Sequence, residues 1–390
     1  MTRQILSLKK TTLIALLSLI ILVVLFAPVQ LPAGMGAVDF RPYWSSTCLL
    51  ARGEDFSDLV KMDAIERTLT GWDKPYTMSA WFAPTGNVVL LPYTLFSFPR
   101  AVYYWLLTNI VVVFSSALLL WRNRTQRPWI ALAASFSFSM TLISLMYGQV
   151  NTLVLLGIAL YLHFGSQKHD LAAGASLALT TVKPHLVILT LPLMLVDLLR
   201  RKQWRALAGF CGALAGCAAV LFLFNPPWLM RFYNVVTFGM GTFRETPTLN
   251  GLLVAAGEFS AGKWLWLVGL FAALLVWFFY GRNWDQRSVI DGSILAGLML
   301  APVGWSYDQV MLLVPLLHVL EWVADGSLAR REASLVSLTL IIANALTFYQ
   351  RSFELSEVWF FWVPLATAAL YGFARRRKKE SPAIPDIQPA

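Results

Sequence analysis

Asp39 stands in the run Val38-Asp39-Phe40-Arg41-Pro42-Tyr43-Trp44, just after an apolar stretch from Thr11 to about Pro28. A carboxylate set among aromatic rings at the end of an apolar segment can take a proton from an attacking hydroxyl. It can equally cap a helix or mark the end of a span. The other polar residues bear on that choice. They come in short groups between apolar runs: Tyr147-Gly148-Gln149-Val150-Asn151, Lys183-Pro184-His185, Arg244-Glu245, Thr248-Leu249-Asn250-Gly251 and Trp305-Ser306-Tyr307-Asp308-Gln309. Lys183 and Arg244 are cations of the kind that hold a departing phosphate. Gln149, Asn151, Trp305, Tyr307 and Trp44 offer the amides and ring faces that hold a sugar. Each group also has a structural role open to it: Gln149, Asn151 and Asp308 as helix caps, Lys183 as a side chain snorkelling to headgroups.

The elements that position these groups are membrane spans. Of 390 residues, 57% are hydrophobic and 13% charged, against about 25% charged in a soluble domain. Apolar runs recur along the whole chain, which predicts an all-α polytopic membrane protein of about twelve spans. They fall near 11–29, 101–121, 129–146, 151–165, 170–182, 185–199, 204–224, 263–281, 289–303, 309–324, 334–349 and 357–373. Residues 1–375 read as one transmembrane domain, and 376–390 as a tail that begins basic and continues disordered. Two outer loops are long, 30–100 and 225–262. The first carries short amphipathic stretches such as 58–67, then Val88 to Phe98, too short to span and read as membrane-hugging or re-entrant. The N-terminus resembles a signal peptide without a clean cleavage pattern, so it reads as a retained first span. With this topology 20 of the 31 basic residues lie on the cytoplasmic side, which puts both termini inside and the polar groups outside.

Several function classes drop out. There is no glycine-rich nucleotide loop and no nucleophile elbow, and His163, His169, His185 and His318 are scattered. Cys48, Cys211 and Cys217 lack metal spacing. No metal or cofactor is expected. The basic patches flank spans, so they report orientation among membrane lipids and not nucleic-acid binding. The residue types present suit transfer of a sugar from a polyprenyl-phosphate donor, with its anionic leaving group at the membrane surface, to a lipid or glycan acceptor. Asp39 would be the base, and Lys183 and Arg244 would sit at the donor phosphate. A transporter or flippase of a lipid-linked saccharide shares the spans, but it should carry polar groups through the midplane. A scaffolding subunit of an envelope-assembly complex would not depend on Asp39.

Asp39-Phe40-Arg41-Pro42-Tyr43-Trp44, Gly148-Gln149-Val150-Asn151, and Ala173-Gly174 leading to Lys183-Pro184 resemble the pattern of glycosyltransferase family 87. These are polytopic enzymes of the GT-C fold that take mannose from polyprenyl phosphate. Thr248-Leu249-Asn250-Gly251 falls where the family often carries Asn-Gln-Ser, and Trp305-Ser306-Tyr307-Asp308-Gln309 where many carry a Trp followed by His. The resemblance implies transfer of a hexose, first of all mannose, with inversion, at the outer face of the cytoplasmic membrane, with Asp39 as catalytic base. It implies substrate contacts from Arg41, Tyr43, Trp44, Gln149, Asn151, His185, Asn250, Trp305, Tyr307 and Asp308. The missing His beside Asp308 and the partial Asn-Gln-Ser match leave the sugar and acceptor open.

Overall fold

The computed structural model describes residues 34–121, 127–239, 245–258, 262–281, 284–353 and 355–378. These residues are helical, with no strand among them. The expected first span, and Arg244, lie outside them. Each of the other expected spans falls on a helical segment. Among the described residues, five helices are long and apolar enough to cross a membrane, or six if one bent pair counts as a single span.

The segment expected as the first outer loop is folded where it is described. Helix α1 (Phe40–Ala51) is buried over most of its length. Helix α2 (Leu59–Thr70) starts where Asp58 accepts hydrogen bonds from the Val60 and Lys61 backbone N–H groups, and ends at Gly71 in the left-handed conformation. Helix α3 (Pro84–Leu90) runs into a 3-10 turn at Leu91–Leu95. Phe40, Trp44, Phe98 and Trp105 form a core beneath these helices. Glu66, in the amphipathic stretch 58–67 among polar and basic neighbours, is buried with one carboxylate oxygen unpartnered. Arg41, expected beside Asp39, lies 4.7 Å over the Trp72 ring and 5.4 Å over Phe98.

Helix α4 (Phe98–Leu120) is long and apolar enough to span a membrane. Helices α5 (Pro128–Ser137) and α6 (Ser139–Tyr147) are one apolar run bent by 60°. The break strands backbone groups that Asn344 satisfies: it accepts from Ser139 N at 2.8 Å and donates to Ser137 O at 2.9 Å. Helix α7 (Asn151–Ser166) follows the Gly148 turn. Helix α8 (Asp170–Leu177) extends as a 3-10 turn to Val182, and after Lys183 a second 3-10 turn leads to α9 (Thr190–Arg200). Helix α10 (Trp204–Phe224) crosses α8 by backbone contact. A Cβ on Gly174 would lie 1.7 Å from Ala206 O.

Helices α11 (Trp228–Gly239) and α12 (Leu249–Ala255) lie in the segment expected as the second outer loop. Helices α13 (Leu265–Phe279) and α14 (Gln286–Leu300) lead to the 302–305 segment. A 3-10 turn, Ser306–Leu312, then feeds α15 (Leu313–Ala324), followed by α16 (Arg330–Arg351) and α17 (Trp362–Arg377). Within the bundle, Arg287 pairs with Glu321 at 2.5 Å and His318 with Asp291 at 2.5 Å. Arg287 lies between two of the expected spans, yet it is buried. The polar groups are therefore not confined to one end of the bundle. Apolar Val310, Leu313 and Leu317 separate the two polar regions along this helix.

Candidate active site

The Asp39 segment is held against the turn after α6. Gly36 N donates to Met146 O at 2.6 Å, and Asp39 N to Tyr147 O at 2.9 Å. Gly148 makes this approach possible. Its φ is +71°, and a Cβ there would sit 2.1 Å from Gly36 O. Trp105 Nε1 donates to Gly148 O at 2.9 Å, so the turn is fixed from beneath as well.

Gln149, next along, is the hub. It is fully buried. Its Oε1 accepts from Lys183 Nζ at 2.9 Å and from Tyr43 OH at 3.1 Å. An ammonium has only donors, so the carbonyl must face it and the amide nitrogen is left to donate to Asp39 Oδ2. Lys183 reaches the hub because the backbone before it is anchored, Ala83 N donating to Val182 O at 2.9 Å.

Asp308 lies on the other side of Lys183, with Oδ1 at 2.8 Å from Nζ. It also accepts from Trp305 N at 3.1 Å, and His185 Nε2 stands 3.5 Å from Oδ2. Asn151 Nδ2 donates to Tyr307 O at 2.8 Å and holds this turn to α7. The Trp305 and Tyr307 rings stack 6.0 Å apart, and Lys183 Nζ sits 5.0 Å from the Tyr307 ring centre.

The two carboxylates therefore differ in kind. Asp308 is 1% exposed, with donors on both oxygens and a buried cation beside it. It is an anchor. Asp39 is only half-buried, and its hydrogen bonds come from neutral groups, Gln149 and Tyr307. Burial pushes its carboxyl from the ordinary 3.8 up to about 6, against the pull of the Lys183 cation and of those two hydrogen bonds. A carboxylate with that affinity for a proton, and some access to solvent, is suited to general base chemistry near neutral pH.

Asp39, Tyr43, Gln149, Asn151, Lys183, His185, Trp305, Tyr307 and Asp308 are thus brought into one network. Trp44 is not part of it. Its indole donates to Tyr93 O at 3.1 Å, inside the outer-loop core. Asn250 donates to Pro302 O at 2.7 Å, which steadies the backbone ahead of Trp305. Two residues absent from the sequence reading border the network. Glu357 accepts from Ser306 N at 2.7 Å and pairs with Arg351 at 2.5 Å, and Arg351 also donates to Tyr147 OH. The available signal was a cation and an acid six residues apart at the outer turn between two apolar helices, a pattern that a snorkelling Arg also produces.

An all-helical membrane protein with a carboxylate–amide–ammonium network at one end of its bundle is the class defined so far. The model for Glycosyltransferase family 87 matches residues 82–303. That is more than half of the chain, and the chain belongs to this family. It is a glycosyltransferase. No curated protein and no solved structure matches it. The match takes in Gln149, Asn151, Lys183, His185 and Asn250; Asp39 and the 305–308 turn lie outside it.

Proposed function

We propose that this chain transfers a hexose, mannose being the first candidate, from a polyprenyl-phosphate donor to a lipid or glycan acceptor. Transfer occurs at the outer face of the cytoplasmic membrane and inverts the anomeric centre. Asp39 takes the proton of the acceptor hydroxyl as the bond to the sugar forms and the lipid phosphate leaves. The half-buried, proton-avid carboxyl of Asp39 beside the Trp305–Tyr307 stack is the observation that carries the reading. Gln149 orients that carboxylate. Lys183, paired with Asp308, keeps positive charge near the developing phosphate. His185, on the exposed side of Asp308, supplies a donor for a substrate oxygen, and Tyr43 holds the Gln149 carbonyl in place. Arg244, on the second outer loop, remains a candidate phosphate contact.

The transporter reading would need a polar route between the Asp39 network and the Arg287–Glu321 and His318–Asp291 pairs. The buried residues between them on the Ser306–Ala324 segment, Val310 to Leu317, are apolar, and the contact between α9 and α14 there is a neutral Thr190–Ser293 hydroxyl pair, which favours the enzyme. The test is a transfer assay with purified protein, radiolabelled polyprenyl-phosphate sugars and membrane lipid extract. Wild type should label a lipid or glycan, and Asp39→Asn should not. Equal labelling by a folded Asp39→Asn protein would refute the role of Asp39, and no labelling from any polyprenyl-phosphate sugar would refute the donor class.

A further inference from the structure

Arg351 ends α16, beyond the residues that the family model matches. Its guanidinium bonds Glu357 and the Tyr147 hydroxyl. Those contacts use two of its five N–H donors, and the side chain is still 28% exposed. Tyr147 is the residue whose carbonyl accepts from Asp39 N, and its ring lies 5.8 Å from Tyr307. Arg351 is therefore one side chain away from the candidate base.

Thr347, four residues earlier, lies on the same helix face one turn deeper. It lines a cavity of about 250 Å3 between α5, α15, α16 and α17, together with Leu313, Leu317, Ala343 and Thr367. The walls are mostly apolar. Only 11% of the most apolar stretch of α16 is buried against protein, so this helix forms the lipid-facing side of the bundle. Arg351 does not line the slot but lies one helical turn beyond Thr347, which does. An apolar slot at membrane depth with a cation one turn beyond its lining matches an amphiphile with one chain and an anionic head. The volume is below the roughly 300–1,000 Å3 of sites that enclose a drug-sized ligand. It admits the first part of one chain, not two acyl chains side by side. Lys183, one of the two cations that the sequence offers for the phosphate, is by contrast fully buried and already bonded to Asp308 and Gln149.

The geometry points to Arg351 as the residue that binds the donor phosphate, with the first isoprene units of its polyprenyl chain seated in the slot between α5, α15, α16 and α17. This rests on the polyprenyl-phosphate reading above. The phosphate would then lie beside Tyr147, placing the sugar toward Asp39 and the Trp305–Tyr307 stack.

The experiment uses the full chain in lipid nanodiscs, with two probes. A farnesyl phosphate carrying a diazirine on its second isoprene unit is photolysed and the labelled residues are mapped by mass spectrometry. Decaprenyl phosphate affinity is measured for wild type, Arg351→Gln, Arg351→Lys and Ala343→Trp. Labels are expected on α16 and α17 near Ala343 and Thr367. Arg351→Gln should weaken affinity about tenfold, the loss of one charge-assisted hydrogen bond, and Arg351→Lys should weaken it less. Ala343→Trp fills the slot and should remove the labelling there. The wild-type map needs no variant, so a misfolded Ala343→Trp does not blunt the test. Wild-type binding with labels confined to other helices, or unchanged affinity in Arg351→Gln, overturns this site and leaves the donor class standing. A wild type that binds neither probe overturns the donor class, and this site with it.

Discussion

At the level of single residues, the two acids nearest Lys183 have opposite fates because their partners differ. Asp308 faces a buried cation, while Asp39 faces amide and phenol. Replacing Asp39 with Asn keeps the shape and removes the base, so transfer should fall by about 10²–10⁴ with folding and donor binding retained. A thermal melt and an initial-rate assay check both. The pH dependence follows from the same group. A base works ionised, and the Asp39 carboxyl holds its proton up to about 6. The rate at low substrate should therefore climb as pH rises through about 6 and then level; a flat profile from pH 5 to 8 would exclude Asp39. Glu66 supplies a stability prediction. Burial raises its carboxyl from the ordinary 4.5 to about 7. The folded state then binds a proton that the unfolded chain releases, so stability falls as pH rises between those values. Glu66→Gln should raise the melting temperature at pH 8 and leave it nearly unchanged at pH 4.5.

At the level of elements, the site depends on close approaches that only particular residues allow. Gly148 combines a left-handed backbone with contact to the Gly36 carbonyl. Gly148→Ala adds a Cβ where there is no room, at a cost of order 1–3 kcal/mol for the backbone conformation alone. It should shift the Asp39 segment and lower transfer even in protein that still folds, read as a larger loss in rate than in melting temperature. Gly174, pressed against the Ala206 backbone, lies away from the network. Gly174→Val should lower stability with little change in the rate per folded molecule. The break between α5 and α6 belongs at this scale too. The sequence reads 129–146 as one span, because hydropathy records how apolar a run is and not where its axis turns. The bend is held by Asn344, about 200 residues away along the chain.

At the level of the whole molecule, the reading requires the first outer loop and the Asp39 network on the outer face. Tyr76 is exposed in that loop, and Lys168 is exposed at the turn between α7 and α8. In a background without the three native cysteines, Tyr76→Cys should react with a membrane-impermeant maleimide in intact cells. Lys168→Cys should react only after permeabilisation. The reverse pattern would place the candidate site in the cytoplasm, away from a donor presented outside.

The sequence by itself determined the class, the helical segments among the described residues and most members of the candidate network. Runs of apolar residues show where helices must bury their backbone groups in lipid, and polar residues are costly enough at the ends of such runs that Asp39, Gln149, Lys183 and Asp308 stand out. It could not assign their roles. Whether a carboxylate is a base or an anchor depends on which side chain sits opposite it, and here those partners come from segments more than a hundred residues apart, as with Gln149 and Asp39 or Lys183 and Asp308. Arg41 and Trp44 show the same limit from the other side. Both share a short helix with Tyr43, but helical geometry sends each in a different direction, Tyr43 to Gln149, Arg41 to Trp72 and Trp44 into the loop core. Linear proximity to Asp39 could not separate them, because only the packing of α1 against its neighbours decides which face meets the site.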